Sequence, residues 1–138
     1  MIVYHGTSRN SAQNIKSNGI MPIGGGELGK GFYVGTLEYP AFCWAYNICG
    51  KGNSTVIEFD IDDNGFIGIE PLILGHNDAV EFRKQIKSNQ QERHFLFHRN
   101  AIWADVVGIS KSGFEQIKFE EREGINFINN ATKSYTEK

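Results

Sequence analysis

The alternation of apolar and polar residues along the chain predicts several short strands. β-Branched and aromatic residues at 2–5 stop at Gly6-Thr7 and indicate a first strand, and residues 32–34 indicate a second. The clearest alternation covers residues 55–61 and predicts a third strand. Later apolar stretches predict strands over 66–69, 102–109 and 116–119.

Helical spacing of apolar residues alternates with these strands. A first helix is predicted from a cap at Ser8 or Ser11 to Gly19, and a second from Pro40 to Gly50. A third is predicted after a cap at Asn77, and a short helical turn near 125–128. Because strands and helices are mixed without regular strand–helix–strand winding, the predicted fold class is α+β.

Composition places the chain among compact domains. It has 138 residues, 40% of them apolar, and a net charge of -2, which argues against a strongly basic nucleic-acid surface. No stretch has the roughly 18 apolar residues of a membrane span, and the N-terminus does not resemble a signal peptide. Two cysteines six residues apart exclude a disulfide scaffold. We therefore predict one cytoplasmic domain over residues 1–131, followed by a soluble C-terminal tail at 132–138.

A glycine-rich segment at residues 24–31 has five glycines in eight positions and predicts a loop. Gly24, Gly26 and Gly29 match the spacing of a dinucleotide-binding turn, but that turn must follow a strand and open a helix. A phosphate-binding P-loop needs a hydroxyl side chain where Gly31 stands. Two interpretations stay open: a loop whose backbone approaches a ligand closely, or a surface turn.

Metal ligands are not signalled by the remaining polar residues. His94 and His98 are four residues apart, but a zinc site needs further ligands at usable spacing. Asp60, Asp62 and Asp63 follow the third strand and are typical of a solvated turn. We therefore predict no metal site.

Two motifs resemble the ADP-ribosyltransferase superfamily, in its diphtheria-toxin and poly(ADP-ribose)-polymerase branch with a His–Tyr–Glu triad. The first is residues 4–7, Tyr-His-Gly-Thr, and the second is residues 29–33, Gly-Lys-Gly-Phe-Tyr. Residues 104–108 and 115–119 resemble a small group of bacterial members in which a glutamine opens the last motif strand. The resemblance implies a split, strongly bent β-sandwich with a few peripheral helices and NAD, as substrate, in its cleft.

Site roles follow from the resemblance, position by position. It implies that His5 hydrogen-bonds a ribose hydroxyl of the adenosine half and that the Gly6 backbone holds the nicotinamide carboxamide. It further implies that Tyr33 stacks on the nicotinamide ring and that Trp44 lies on a helix that closes the pocket. The implied NAD-binding set is His5, Gly6, Thr7, Gly31, Phe32, Tyr33 and Trp44.

The third triad position departs from the family's usual glutamate. The best match is Gln116, with Glu115 as the alternative, and neighbouring residues on a strand face opposite sides. If Gln116 faces the cleft, it shares that face with Lys118 and leaves Ile117 and Phe119 to the core, which is the pattern we prefer. The implied catalytic residues are His5, Tyr33 and Gln116.

The expected function is mono-ADP-ribosyl transfer from NAD to an unidentified macromolecule, with release of nicotinamide. Near-neutral charge favours a protein acceptor over nucleic acid. By analogy with the fold that the resemblance implies, we expect a bacterial or phage toxin or conflict effector with a cognate antitoxin or immunity partner, and no membrane partner. Alternatives are NAD hydrolysis, an inactive module that binds NAD or ADP-ribose, and a structural or interaction domain.

Overall fold

A computed structural model of the chain describes residues 1–108 and 113–138. Its strands and helices confirm a mixed α+β fold. The strands are β1 (Ile2–Ser8), β2 (Phe32–Gly35), β3 (Ser54–Asp60), β4 (Leu72–Ile73), β5 (Ala101–Asp105), β6 (Glu115–Phe119) and β7 (Thr132–Glu137). The helices are α1 (Arg9–Asn18), α2 (Glu38–Cys49), α3 (Asp63–Gly68), α4 (His76–Ser88) and α5 (Arg122–Asn130).

These strands form one sheet in the order β4-β5-β6-β2-β1-β3-β7. The β4–β5 pair is parallel, and the other described pairs are antiparallel. Most neighbours pair over several residues, but β1 and β2 pair at one described position, Tyr4 opposite Gly35. The sheet is therefore narrowest between β2 and β1, where a four-stranded part meets a three-stranded part.

The first face of the sheet carries the main core. Side chains alternate along each strand, so Ile117 and Phe119 of β6 lie on this face together with Val34 and Phe32 of β2. Helices α1, α3 and α5 cover it through apolar residues. The core cluster includes Val3, Ala12, Ile20, Phe32, Val34, Ile57, Phe59, Phe66, Ile117, Phe119, Ile125 and Ile128.

The second face is covered in two separate parts. Helix α2 packs on β1 at Gly6, where an added Cβ would lie 1.9 Å from the Ala41 carbonyl oxygen. Helix α4 and the glycine-rich segment instead cover the four-stranded part, where Leu28, Ala79 and Ile102 form a second apolar cluster. The narrow join between β1 and β2 consequently lies where these two covers meet.

Local chemistry explains how α1 begins and ends. The Ser8 hydroxyl accepts a hydrogen bond from the Ser11 amide at 3.1 Å, so the first of the two candidate caps is the one used. The helix ends at Gly19, whose φ of 85° is costly for residues that carry a Cβ. Glycine therefore sets the helix end at the predicted residue.

Residues 66–69 were predicted as a strand, and that prediction was wrong: residues 66–68 belong to helix α3, and Ile69 is its C-cap. The Asp62 side chain accepts a hydrogen bond from the Gly65 amide at 2.7 Å and caps a short helix. Phe66 is then buried in the core, whereas Ile67 is 68% exposed. The apolar run that suggested a strand thus has only one strongly buried side chain.

Two further boundaries differ from the sequence prediction. Helix α4 begins at His76 with Gly75 as its cap, so Asn77 is not the cap. The strand predicted at 102–109 ends at Asp105, and residue 109 lies outside the described residues. None of the helices in the described ranges has both the length and the apolar character needed to span a membrane.

The predicted C-terminal tail is a strand of the sheet, which corrects the boundary at residue 131. Strand β7 pairs with β3 from Thr132 opposite Asp60 to Glu137 opposite Thr55. Tyr135 packs against the main core, and the Lys133 ammonium lies 5.9 Å from the centre of the Phe59 ring. The strand looks polar in sequence because its inward positions include a lysine.

Replacing Tyr135 with alanine is expected to lower the free energy of unfolding by about 2 kcal/mol, since part of a core contact is lost. Thr136 points outward and is exposed, so Thr136→Ala is the matched control and should change stability by less than about 0.5 kcal/mol. Urea unfolding measures both. Equal, negligible effects of the two substitutions would indicate a free tail instead of a packed strand.

Candidate functional site

The candidate site lies at the place where β1 and β2 separate. Beyond the pair formed by Tyr4 and Gly35, the described backbone of β1 has no ladder partner on β2. The imidazole of His5 reaches into this gap, and its Nδ1 lies 2.7 Å from the Tyr33 carbonyl oxygen. A side chain therefore replaces the ladder hydrogen bonds at this point, and the backbone amide and carbonyl of Gly6, which face β2, have no ladder partner there.

The partner of His5 fixes its tautomer. A carbonyl oxygen only accepts hydrogen bonds, so Nδ1 must carry the proton and donate it. In the neutral ring, Nε2 is then an acceptor, and it has no hydrogen-bond partner among the described residues. The ring also packs on Phe32, with 4.3 Å between ring centres. His5 is thus an oriented acceptor at the edge of the gap.

Burial lowers the pKa of His5 below its ordinary value of 6.5, against the opposing effect of the hydrogen bond to Tyr33. In the unfolded chain His5 takes up its proton as pH falls through 6.5, while the folded protein resists protonation. Stability contributed by neutral His5 is therefore present above pH 6.5 and is lost as pH falls below it.

Unfolding in urea at pH 7.5 and 5.5 should show this loss. We expect the wild type to lose more stability over that interval than His5→Asn, which keeps a donor to Tyr33 but does not titrate. His94 is exposed, so His94→Asn is the control and should behave like the wild type. Parallel losses in the wild type and His5→Asn would contradict this assignment.

Tyr33 uses its hydroxyl to hold the glycine-rich segment. The hydroxyl donates to the Gly29 carbonyl at 2.5 Å and accepts from the Leu28 amide at 3.0 Å. Burial raises the pKa of Tyr33 far above its usual value, so the hydroxyl stays protonated. The half-buried ring has Gly26 against one edge, where an added Cβ would lie 2.7 Å from Cζ. Because the hydroxyl is engaged, only the half-buried ring of Tyr33, which also packs against the second apolar cluster, could contact a ligand.

Gln116 and Tyr33 lie on the same face of the sheet. Gln116 pairs with Gly35 and Lys118 pairs with Tyr33, and all four residues lie on the second face. Gln116 is 8% exposed. Ile117 is in the main core, which agrees with the alternation that we preferred. The strand orientation therefore selects Gln116 over its neighbour for the face that carries Tyr33.

Glu115, the alternative third residue, is exposed and lies away from Tyr33. It lines a shallow cavity of about 250 Å³ together with Ile73, Trp103 and Asp105. A second cavity of about 170 Å³ is lined by Glu27, Arg83, Ile86, Lys87 and Glu92. Neither of these two cavities is lined by His5 or Tyr33.

The His5 imidazole contacts the backbone carbonyl of Tyr33 and not the Tyr33 side chain. By the pairing of Tyr4 with Gly35, His5 alternates onto the face opposite to Tyr33 and Gln116. Its ring accordingly contacts Phe32 on the core face. The three expected catalytic residues are on neighbouring strands, and His5 approaches from the gap while the other two share the second face.

The remaining predicted NAD-binding residues differ in what they contact. Phe32 is buried in the core, and Gly31 makes room for Lys118, whose Cγ would lie 2.4 Å from an added Cβ. Thr7 is half-buried on β1. Trp44 is 64% exposed on α2. Side-chain contact with a ligand is thus open to Trp44, whereas Gly31 and Phe32 have packing roles.

The glycines of residues 24–31 allow the backbone of this segment to pack closely against other residues of the protein. Added Cβ atoms would lie 2.8 Å from the Glu92 carbonyl at Gly25 and 2.3 Å from the Phe95 carbonyl at Gly29. Gly29 also has a φ of 92°, which favours glycine. The close backbone approach that the sequence suggested is made to residues 92–95 and to Tyr33, so the segment is a packed cover of the second face.

Glu27, which the sequence reasoning missed, lies at the centre of this cover. Its Oε1 accepts from Gln116 Nε2 and from the Val107 amide, each at 3.0 Å. Its Oε2 accepts from Arg83 Nε at 3.2 Å. The available signal was a lone acidic residue inside a glycine-rich loop, but its partner Gln116 lies 89 residues away in sequence.

A buried ion pair between Lys118 and Glu120 also holds the glycine-rich segment in place. Lys118 Nζ donates to the Leu28 carbonyl and lies against Glu120 Oε2, both at 2.5 Å, and neither charged side chain is more than 1% exposed. Burial lowers the pKa of Lys118, while the Glu120 carboxylate opposes that shift. The segment is therefore held by the side chains of Tyr33, Gln116 and Lys118, which share one face.

Metal binding is not indicated by the described ranges, which contain no group of three or more His, Cys, Asp and Glu residues placed to hold an ion. In comparisons with known proteins, no family model and no curated protein matched the chain.

Proposed function

We propose that the protein transfers a single ADP-ribosyl group from NAD to a macromolecule and releases nicotinamide. The observation that carries the proposal is the gap between β1 and β2, bridged by the Nδ1–H of His5 and the Tyr33 carbonyl. At this gap, backbone hydrogen-bonding groups of β1 lie between the neutral imidazole of His5 on the core face and the aromatic ring of Tyr33 on the second face. These groups suit a ligand with a carboxamide, a flat ring and ribose hydroxyls.

Each group has a part that its geometry supports. The open edge of Gly6 can donate to and accept from the carboxamide of nicotinamide, and the half-buried ring of Tyr33 offers a flat surface for the pyridinium. The unprotonated Nε2 of His5 can accept a hydrogen bond from a ribose hydroxyl. Trp44 on α2 remains available to cover the ligand.

The reaction breaks the bond between the ribose carbon C1′ and the nicotinamide nitrogen. The bonding electron pair leaves with nicotinamide, which becomes neutral, and the ribose carbon develops positive charge. A nucleophile of the acceptor then bonds to this carbon and loses its proton to solvent. The site contributes by fixing the ring and sugar in position, because orientation removes much of the barrier.

Gln116 favours single transfer over polymer synthesis. Its amide can accept a hydrogen bond from a hydroxyl, but it has no charge and cannot act as a base that activates an incoming sugar hydroxyl. The narrow join between the two parts of the sheet also agrees with a split sandwich of the ADP-ribosyltransferase type. We propose a protein acceptor, since a net charge of -2 offers little attraction to nucleic acid. We also propose that the reaction takes place in the cytoplasm.

Incubation of the purified protein with NAD labelled in its adenylate phosphate, in a bacterial lysate, tests this function. We expect nicotinamide to be released in proportion to label that becomes attached to protein. Nicotinamide release with free ADP-ribose as the only labelled product would instead indicate hydrolysis. NAD binding without release would indicate an inactive binding module, and neither binding nor release would contradict the proposal and favour a structural or interaction domain.

A further inference from the structure

We infer that Glu27 is a positioning residue that orients the Gln116 amide, so that the oxygen of this amide is presented to a hydroxyl of the nicotinamide ribose. The inference rests on the proposed function. It assigns a role to a carboxylate that the glycine-rich segment brings to the third strand of the site, β6.

The hydrogen bonds of Gln116 determine which way its amide points. Nε2 lies 3.0 Å from the Glu27 carboxylate and 3.3 Å from the Asp105 carbonyl. A carboxylate and a carbonyl accept hydrogen bonds only, so both must face the amide nitrogen. Both N–H groups are then in use, and Oε1 has no donor among the described residues. The amide thus offers an acceptor oxygen, as an ionised carboxylate would.

Glu27 is itself held by groups from two segments besides β6. The Val107 amide and Arg83 of α4 donate to its two oxygens, so the carboxylate has little freedom to rotate. Gly108 makes space for it, since an added Cβ would lie 2.2 Å from Oε2. The Glu27 side chain is only 21% exposed, which strengthens its hydrogen bonds relative to those at an open surface. A carboxylate used only to fasten a surface loop would not need this enclosure.

A charged partner also changes the acceptor strength of Gln116. Hydrogen bonds in a chain polarise one another, so an amide that donates to a carboxylate has a more negative oxygen. Positive charge develops on the ribose carbon during nicotinamide departure, and a more negative acceptor at a ribose hydroxyl stabilises that charge. Glu27 acts in this way through Gln116, without touching the substrate.

Four variants test the inference: Glu27→Gln, Gln116→Glu, the double exchange of both, and Glu92→Gln as control. Glu92 lines the cavity beside Glu27 but does not bond to Gln116. In Glu27→Gln we expect kcat for nicotinamide release to fall about 10- to 100-fold, with KM for NAD changed less than about threefold. Gln116→Glu should also lose activity because it places two carboxylates together.

The double exchange restores one carboxylate and one amide, and kcat should recover at least about tenfold over either single variant. Side-chain amide resonances of Gln116, followed by NMR without NAD, give a second readout. In the wild type and Glu92→Gln, we expect their chemical shifts to differ from those of a freely rotating glutamine side chain and their hydrogens to exchange slowly with solvent. In Glu27→Gln, the shifts should move to those of a freely rotating side chain.

An active wild type whose kcat and Gln116 resonances are unchanged by Glu27→Gln would overturn the inference alone. Activity that falls only in parallel with thermal stability, without recovery in the double exchange, would also overturn it by reducing Glu27 to a fastening role. A wild type that releases no nicotinamide would overturn the proposed function and, with it, the role of Gln116 toward a ribose hydroxyl, even if the resonances show the amide held as described.

Discussion

Replacing His5 with alanine is expected to reduce nicotinamide release from NAD by at least about 100-fold. The substitution removes the Nε2 acceptor for a ribose hydroxyl and the Nδ1–H bridge that sets the width of the gap beside Tyr33. A displacement of about 1 Å in a bound substrate is enough for a loss of this size. Initial rates at saturating NAD, with circular dichroism to confirm folding, measure the effect.

His76→Ala is the matched control for this variant, because His76 is an exposed histidine on α4 that pairs with Asp105 away from the gap. It should retain the wild-type rate within about twofold. His5→Asn keeps a donor to Tyr33 but loses the ring, so its rate should lie between those of the wild type and His5→Ala. Equal rates of nicotinamide release in the wild type and a folded His5→Ala protein would show that His5 does not contribute to the site.

Replacing Glu120 with alanine is expected to lower the free energy of unfolding by about 3–5 kcal/mol, because it leaves the Lys118 charge buried without its partner. The Lys118 ammonium is fully buried, and the Glu120 carboxylate also accepts the Phe97 and His98 amides at 2.9 Å each. Urea unfolding at pH 7 measures the loss. Glu121→Ala, at the neighbouring half-exposed carboxylate, is the control and should cost less than about 1 kcal/mol.

The cause can be separated from a general loss of packing. Lys118→Met combined with Glu120→Leu removes both charges and should recover a large part of the lost stability. The loss in Glu120→Ala should also shrink as pH rises toward 10, because a buried Lys118 with a lowered pKa contributes more stability as it becomes neutral. A loss that is independent of pH and not recovered in the double variant would contradict a buried ion pair.

The site orientation was predictable where burial and alternation act together. Ile117 and Phe119 are apolar and two residues apart, so burying both requires Gln116 and Lys118 to share the other face. The same argument gave β1, β2 and β3, whose apolar residues alternate or are β-branched.

The features that the sequence did not predict depend on tertiary contacts, which the pattern of neighbouring residues in the sequence does not reveal. Strand β7 has one aromatic residue, and Lys133 fills an inward position by lying over Phe59, so its sequence looks like a solvated tail. Glu27 has no local signature either, because a hydrogen bond to Gln116 forms only after α4, β5 and β6 have assembled. The separation of β1 from β2 likewise depends on which strands become neighbours.

Whether NAD binds at the gap can be measured by titrating NAD into the ¹⁵N-labelled protein and following the backbone amide resonances, because this experiment needs no acceptor and no turnover. We expect the largest shifts on both sides of the gap, at Gly6 and Thr7 on β1 and at Tyr33 on β2. These shifts should be lost in folded His5→Ala at the same NAD concentration. No shifts at millimolar NAD, or shifts confined to the cavity lined by Ile73 and Trp103, would contradict NAD binding at the gap.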